Sequence, residues 1–115
     1  MTVRVYVPTT LDRLATYVES GRVPAADERL VAPGDDEEAE YDALMAAADD
    51  SALLLDGSGR RVVLVAEVSD PDGDLPRKRW VAVHVDTEDD PDPEADLAWF
   101  ATQEIPDLLE GRSGR

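Results

Sequence analysis

His84 is the one histidine of the chain, and Asp86 follows it two residues later in WVAVHVD. On an extended strand this spacing puts both side chains on one face, together with Trp80 and Ala82. An imidazole beside a carboxylate can serve as a general base. With Gln103 and Glu104 added, the group would form a small-molecule-binding or enzymatic centre around Trp80, His84 and Asp86. The plainer reading is a half-exposed strand histidine next to a solvated carboxylate. Nucleophilic catalysis finds little support. There is no cysteine, and none of Ser20, Ser51, Ser58, Ser69 and Ser113 stands in a nucleophile-elbow sequence.

Two other patterns carry chemistry only at first sight. In DPDGDLP, Asp70, Asp72 and Asp74 take the first, third and fifth places of a calcium loop. The glycine falls at the fourth place and Val81 stands where a bidentate Glu is needed, so an acidic hairpin loop is the better reading. In GSGRR, Gly57, Gly59, Arg60 and Arg61 precede a strand, whereas a phosphate loop must lead into a helix whose N-terminus it presents. No metal site and no cofactor are expected. Trp80, Trp99 and Phe100 are the large aromatics that can anchor an interface. Trp99 is expected inside the core. Trp80, opposite the valines of its strand, is placed on the outer side or inside with equal reason.

The charge balance narrows the partners. With 27 Asp plus Glu against 11 Lys plus Arg, the formal net charge is −16. Such a chain is repelled by nucleic acid and by anionic membranes, so neither is an expected partner. A rigid array of carboxylates could instead mimic nucleic acid on a basic protein. The N-terminus lacks a basic segment and a long apolar run, and no stretch has the length of a membrane span, so a cytoplasmic setting is expected.

The elements that position these residues follow from periodicity. Thr2 to Val7 alternates Val3, Val5 and Val7 against Arg4 and Tyr6, a strand that Pro8 should end. Thr9 or Thr10 caps a helix over Thr10 to Ser20, with Leu11, Leu14, Ala15 and Val18 on one stripe and Gly21 as its left-handed stop. A short strand at Arg29–Ala32, closed by Pro33 and Gly34, would complete a β-α-β unit with a right-handed crossover. Asp35 and Asp36 can cap a second helix, and Glu37, Glu38 and Glu40 suit its positive end. Tyr41, Leu44, Met45, Ala48, Ala52 and Leu55 form its predicted buried stripe, and Gly57-Ser58-Gly59 its end. Arg61 to Ser69 is apolar on both faces, which places it centrally in a sheet. Arg79 to Asp86 pairs with it as a hairpin, with Val81, Val83 and Val85 on one face. Thr87 to Asp96 holds six acidic residues and two prolines, a solvated and mobile loop. A strand near 97–101 and a short helix near 103–110 close the chain, with Pro106 in the helix's first turn. A frayed tail is expected over 111–115.

These residues resemble an uncharacterised family of unknown function found mainly in actinobacteria. The resemblance is carried by VRVYVPTTL, EEAEYDALMAAA, RRVVLVAEV, VAVHVD and LAWFATQEIPDLL, in that order, and ten Arg against one Lys suit a high-GC genome. It implies a fold and a cellular setting but no activity, and it assigns no catalytic residue.

The expected architecture is a single α+β domain over residues 1–110. It is a two-layer mixed sheet of four to five strands with two main helices on one face. The other face would be left for solvent or a partner. The expected function is a small acidic non-enzymatic protein acting through protein–protein association, as a homodimer or with another protein. The candidate binding residues are Trp80, His84, Asp86, Trp99, Gln103 and Glu104.

Overall fold

The computed structural model describes residues 2–32, 34, 36–55, 59–89 and 91–113. The readings that rest on Pro33, Asp35, Gly57, Ser58, Asp90 and the last two residues lie outside the described residues.

The chain is an α+β fold, as the periodicity predicts. Its main sheet has five strands in the order β3-β1-β4-β6-β7. These are β1 (Val3–Thr9), β3 (Leu30–Val31), β4 (Val62–Val68), β6 (Trp80–Val85) and β7 (Ala98–Phe100). Every neighbouring pair is antiparallel, so the expected mixed sheet and the parallel β-α-β crossover are corrected. The reason is β3: after α1 (Leu11–Ser20) the chain returns beside β1 in the reverse sense, held by only two register pairs. A separate two-stranded ribbon joins β2 (Arg22–Val23) to β5 (Leu75–Pro76).

The second correction concerns the layers. Period-two alternation sends Val5, Val7, Val62, Leu64, Ala66, Val83 and Val85 to one face, where they meet Leu14 and Tyr17 of α1 and Ile105 of α3 (Ile105–Ser113). It sends Tyr6, Val63, Val65 and Ala82 to the other, where α2 (Glu37–Leu54) covers them with Ala43, Ala47 and Ala48. Helices therefore pack on both faces, in three layers. The continuous apolar run of β4 fits this, since a strand covered on both sides has no polar face.

Local signals explain the helix ends. The Thr10 side chain accepts from the Arg13 N–H at 3.1 Å, and Gly21 closes α1 at φ 80°, a left-handed turn that costs glycine little. The Asp36 carboxylate accepts from the Ala39 N–H at 2.7 Å to start α2. Pro8, expected to stop β1, lies inside it opposite Val63. Beyond Tyr6 no β3 residue flanks β1, so a missing N–H at Pro8 takes no bond from that side. The buried face of α2 is also rotated from the predicted stripe. Small residues Ala43, Ala47 and Ser51 approach the sheet, and Tyr41 is left half exposed. Small side chains let the helix sit close over the bulkier Tyr6, Val63 and Val65. At the end of the chain α3 continues to Ser113, into the stretch expected to be tail.

Tyr17 anchors α1 and carries a pH signature. It is buried, and its hydroxyl donates to an Asp27 carboxylate oxygen at 2.7 Å. Burial first, and Asp27 second, push the phenol up to about 12 from 10.0. Its folded pKa lies above the unfolded one, so its contribution to stability is whole below pH 10 and is lost as pH rises through 12. Denaturant unfolding across this range should show the loss, and Tyr17→Phe should flatten it. An equally steep loss in the variant would assign it to other groups.

Candidate functional site

The expected convergence of Trp80, His84 and Asp86 is not made: a β-bulge removes Trp80, and Arg61 engages Asp86. Val65 faces Ala82 whereas Ala66 faces Trp80, so Val81 is an extra residue in β6. The bulge reverses the alternation between Trp80 and Ala82. Trp80 joins Val83 and Val85 in the core under α1 and α3, its indole N–H donating to the Leu75 carbonyl at 3.0 Å. His84 points to the α2 side. Val81, expected to share a face with Val83 and Val85, is 39% exposed.

Asp86 and Arg61 are both buried and paired with each other. Arg61 donates to the two Asp86 oxygens at 2.8 and 2.9 Å, and to the carbonyls of Pro93 at 2.9 Å and Ala95 at 2.8 Å. The pairing raises the Arg61 pKa. Asp86 is thus spent on structure, and the acidic loop expected to be mobile is tethered at two carbonyls. Glu104 is also spent locally, accepting from the Ala101 N–H at 2.9 Å. Gln103 is exposed beside it in a single 3-10 turn (Thr102–Glu104).

His84 and Trp99 do come together, as register partners across β6 and β7. Trp99 was expected in the core, yet it is 61% exposed, because α2 covers β1 and β4 and leaves the β6–β7 end of the face open. A groove of about 380 Å³ lies there, lined by Arg4, Tyr6, Tyr41, Val81, His84 and Trp99 among others. Its volume is in the range of small binding clefts. Tyr41 reaches over it and donates to Asp96 at 2.8 Å, fastening the acidic loop to α2.

The floor of the groove is polar at one end. Arg4 and Glu67 are direct cross-strand partners, with the Arg4 Nε 3.1 Å from a Glu67 oxygen, and Glu40 of α2 lies 3.7 Å from the same guanidinium. On the far side of this ion pair a second hollow of about 400 Å³ is lined by Val3, Val31 and Ala32. Among the described residues five large hydrophobic side chains are exposed, and four of them, Val31, Tyr41, Val81 and Trp99, line these two adjoining hollows. Burial first, and the Arg4 charge second, lower the His84 pKa, so the imidazole is neutral at pH 7. Desolvation chiefly, helped by Glu40, raises that of Tyr6.

The sequence reading missed Arg4, Tyr6, Glu40, Tyr41 and Glu67 as site residues. A signal for two of them was present: Arg4 and Glu67 each interrupt the apolar pattern of a strand, and strands covered on both faces keep charge only where the cover stops. No described helix is long and apolar enough to cross a membrane. No curated protein and no solved structure gave a significant match. A family model of unknown function matches residues 3–95, which takes in four of the five stretches that carried the resemblance and ends before LAWFATQEIPDLL. The chain belongs to this family, DUF6912.

Proposed function

We propose that the chain is a binding protein that docks a partner protein in the groove beside Trp99. One observation carries the reading: three of the five exposed large hydrophobics among the described residues, Tyr41, Val81 and Trp99, line this groove, and a fourth, Val31, lines the hollow that adjoins it. Scattered single hydrophobics are ordinary on a surface, whereas a clustered group marks an interaction site. Trp, Tyr and Arg are also the residue types that carry most interface energy, and Trp99, Tyr41 and Arg4 sit together here. The catalytic alternative loses its support, because Trp80 and Asp86 are engaged elsewhere and His84 stands without them.

Position-specific cross-linking tests the reading. A photo-reactive phenylalanine analogue is placed at position 99, and in a second protein at position 53, where Leu53 is 83% exposed and lines neither hollow. The expected result in cells is a discrete adduct from position 99 that position 53 does not give. Identical patterns from both positions, or no adduct from either, would remove the groove as a docking surface.

A further inference from the structure

We propose that the occupant of the groove is a positively charged, extended segment of a different protein, with a Lys or Arg side chain lying over the indole of Trp99. The inference rests on the docking reading above and adds the chemistry of the partner.

Charge complementarity is the first argument. The chain carries −16, so a second copy meets a repulsive field, whereas a basic partner is drawn in and oriented by it. The same sign persists around the groove. Glu40, which lines it, and Glu67, which lines the adjoining hollow, share the single guanidinium of Arg4, and Asp96 is held beside it by its bond to Tyr41. His84 contributes no compensating charge, because burial and Arg4 favour its neutral form.

The indole supplies the second argument. A cation over an aromatic face is attracted by the ring quadrupole, most strongly over Trp. The fold already uses this device once: the Arg77 guanidinium lies 6.0 Å from the Trp80 ring centre. The Trp99 ring is open to solvent instead, with Val81 beside the groove to take the alkyl stem of the same side chain. A cationic head with an apolar stem therefore matches both halves of the surface, which a purely apolar or an acidic segment does not.

The probe is a labelled peptide of alternating lysine and valine, with a twin carrying glutamate in place of lysine, titrated against the full chain by fluorescence anisotropy. The lysine peptide is expected to bind and the glutamate twin not to. Trp99→Ala should weaken binding on the order of tenfold, and Glu67→Gln several-fold in the same direction. Leu53→Ala and Glu19→Gln, the latter an exposed carboxylate on α1 across the sheet, should leave it unchanged. No binding of the lysine peptide at low salt overturns the proposal. So does undiminished binding by Trp99→Ala, or a loss in Glu19→Gln equal to that in Glu67→Gln, either of which assigns the attraction to net charge alone. An adduct at position 99 whose partner presents a neutral or acidic segment removes this inference and leaves the docking reading intact.

Discussion

Replacing Arg61 by Ala is expected to lower the unfolding free energy by about 3–5 kcal/mol, a loss comparable to much of the stability of a domain this size. The Arg61 and Asp86 side chains are 4% and 1% exposed, so the carboxylate left behind has almost no water to take over the lost charge. The backbone N–H of Arg61 still reaches an Asp86 oxygen at 2.7 Å, which one neutral donor cannot make equivalent to a guanidinium. The Pro93 and Ala95 carbonyls lose their donor in the same variant. The melting temperature should fall by roughly 10–20 °C. Arg61→Met combined with Asp86→Leu should recover most of the loss, because the buried charge is then gone from both sides. It should stop short of the parent by the share belonging to the two loop carbonyls and to the Arg61 N–H, which loses its Asp86 acceptor. Denaturant unfolding of Arg61→Ala and of the double variant checks this. A loss below about 1 kcal/mol for Arg61→Ala, the range of surface ion pairs, would show the pair to be hydrated.

Ser51→Ala is expected to cost about 2–4 kcal/mol although it removes one oxygen atom. Thr9 and Val62 are register partners at the last rung of the β1–β4 ladder. The Ser51 hydroxyl is bonded to both: it accepts from the Val62 N–H at 2.9 Å and donates to the Thr9 carbonyl at 2.7 Å. Ser51, Thr9 and Val62 are each 0% exposed. Alanine therefore leaves a donor and an acceptor in a dry site, each worth about 1–3 kcal/mol when orphaned. Hydrogen exchange supplies the specific reading. The Val62 amide should lose protection by more than those of Val63 and Leu64 further along β4. If Val62 stays as protected as its neighbours and stability changes little, water or a shifted strand has replaced the hydroxyl.

Much of this frame was legible in the sequence, and the exceptions have physical causes. The two faces of β4 follow directly from alternation, Val62, Leu64, Ala66 and Val68 against Val63 and Val65, because a central strand keeps its period. The helix α1 was legible down to its Gly21 stop, since caps are local chemistry, and of the two cap candidates, Thr9 and Thr10, the fold uses Thr10. The bulge at Val81 was not. Neither glycine nor proline marks it, and it arises from pairing with a strand more than ten residues away. That single insertion put Trp80 in the core, and the pairing of Asp86 with Arg61 left the rest of the Trp80–His84–Asp86 centre unformed. The rotation of α2 was hidden for a different reason. A stripe of large apolar residues outweighs Ala43, Ala47 and Ser51 in any hydrophobicity pattern, yet the sheet takes the small face because close approach and the Ser51 bonds favour it. Of the candidate residues His84 and Trp99 do share a site, but the side chains that complete it, Tyr41 and Arg4, come from elements whose adjacency is a property of the folded sheet alone.

The pairing of β1 with β4 sets a timing problem for synthesis. Val3 is partnered by Val68, so β1 is synthesised well before its main neighbour exists. At about 5–20 residues per second, the interval of 65 positions lasts roughly 3–13 s. Until then β3, with two register pairs, is the only sheet partner within reach of Val5 and Tyr6. The β4 side of β1 should therefore stay unpaired in nascent chains until residue 68 has cleared the exit tunnel.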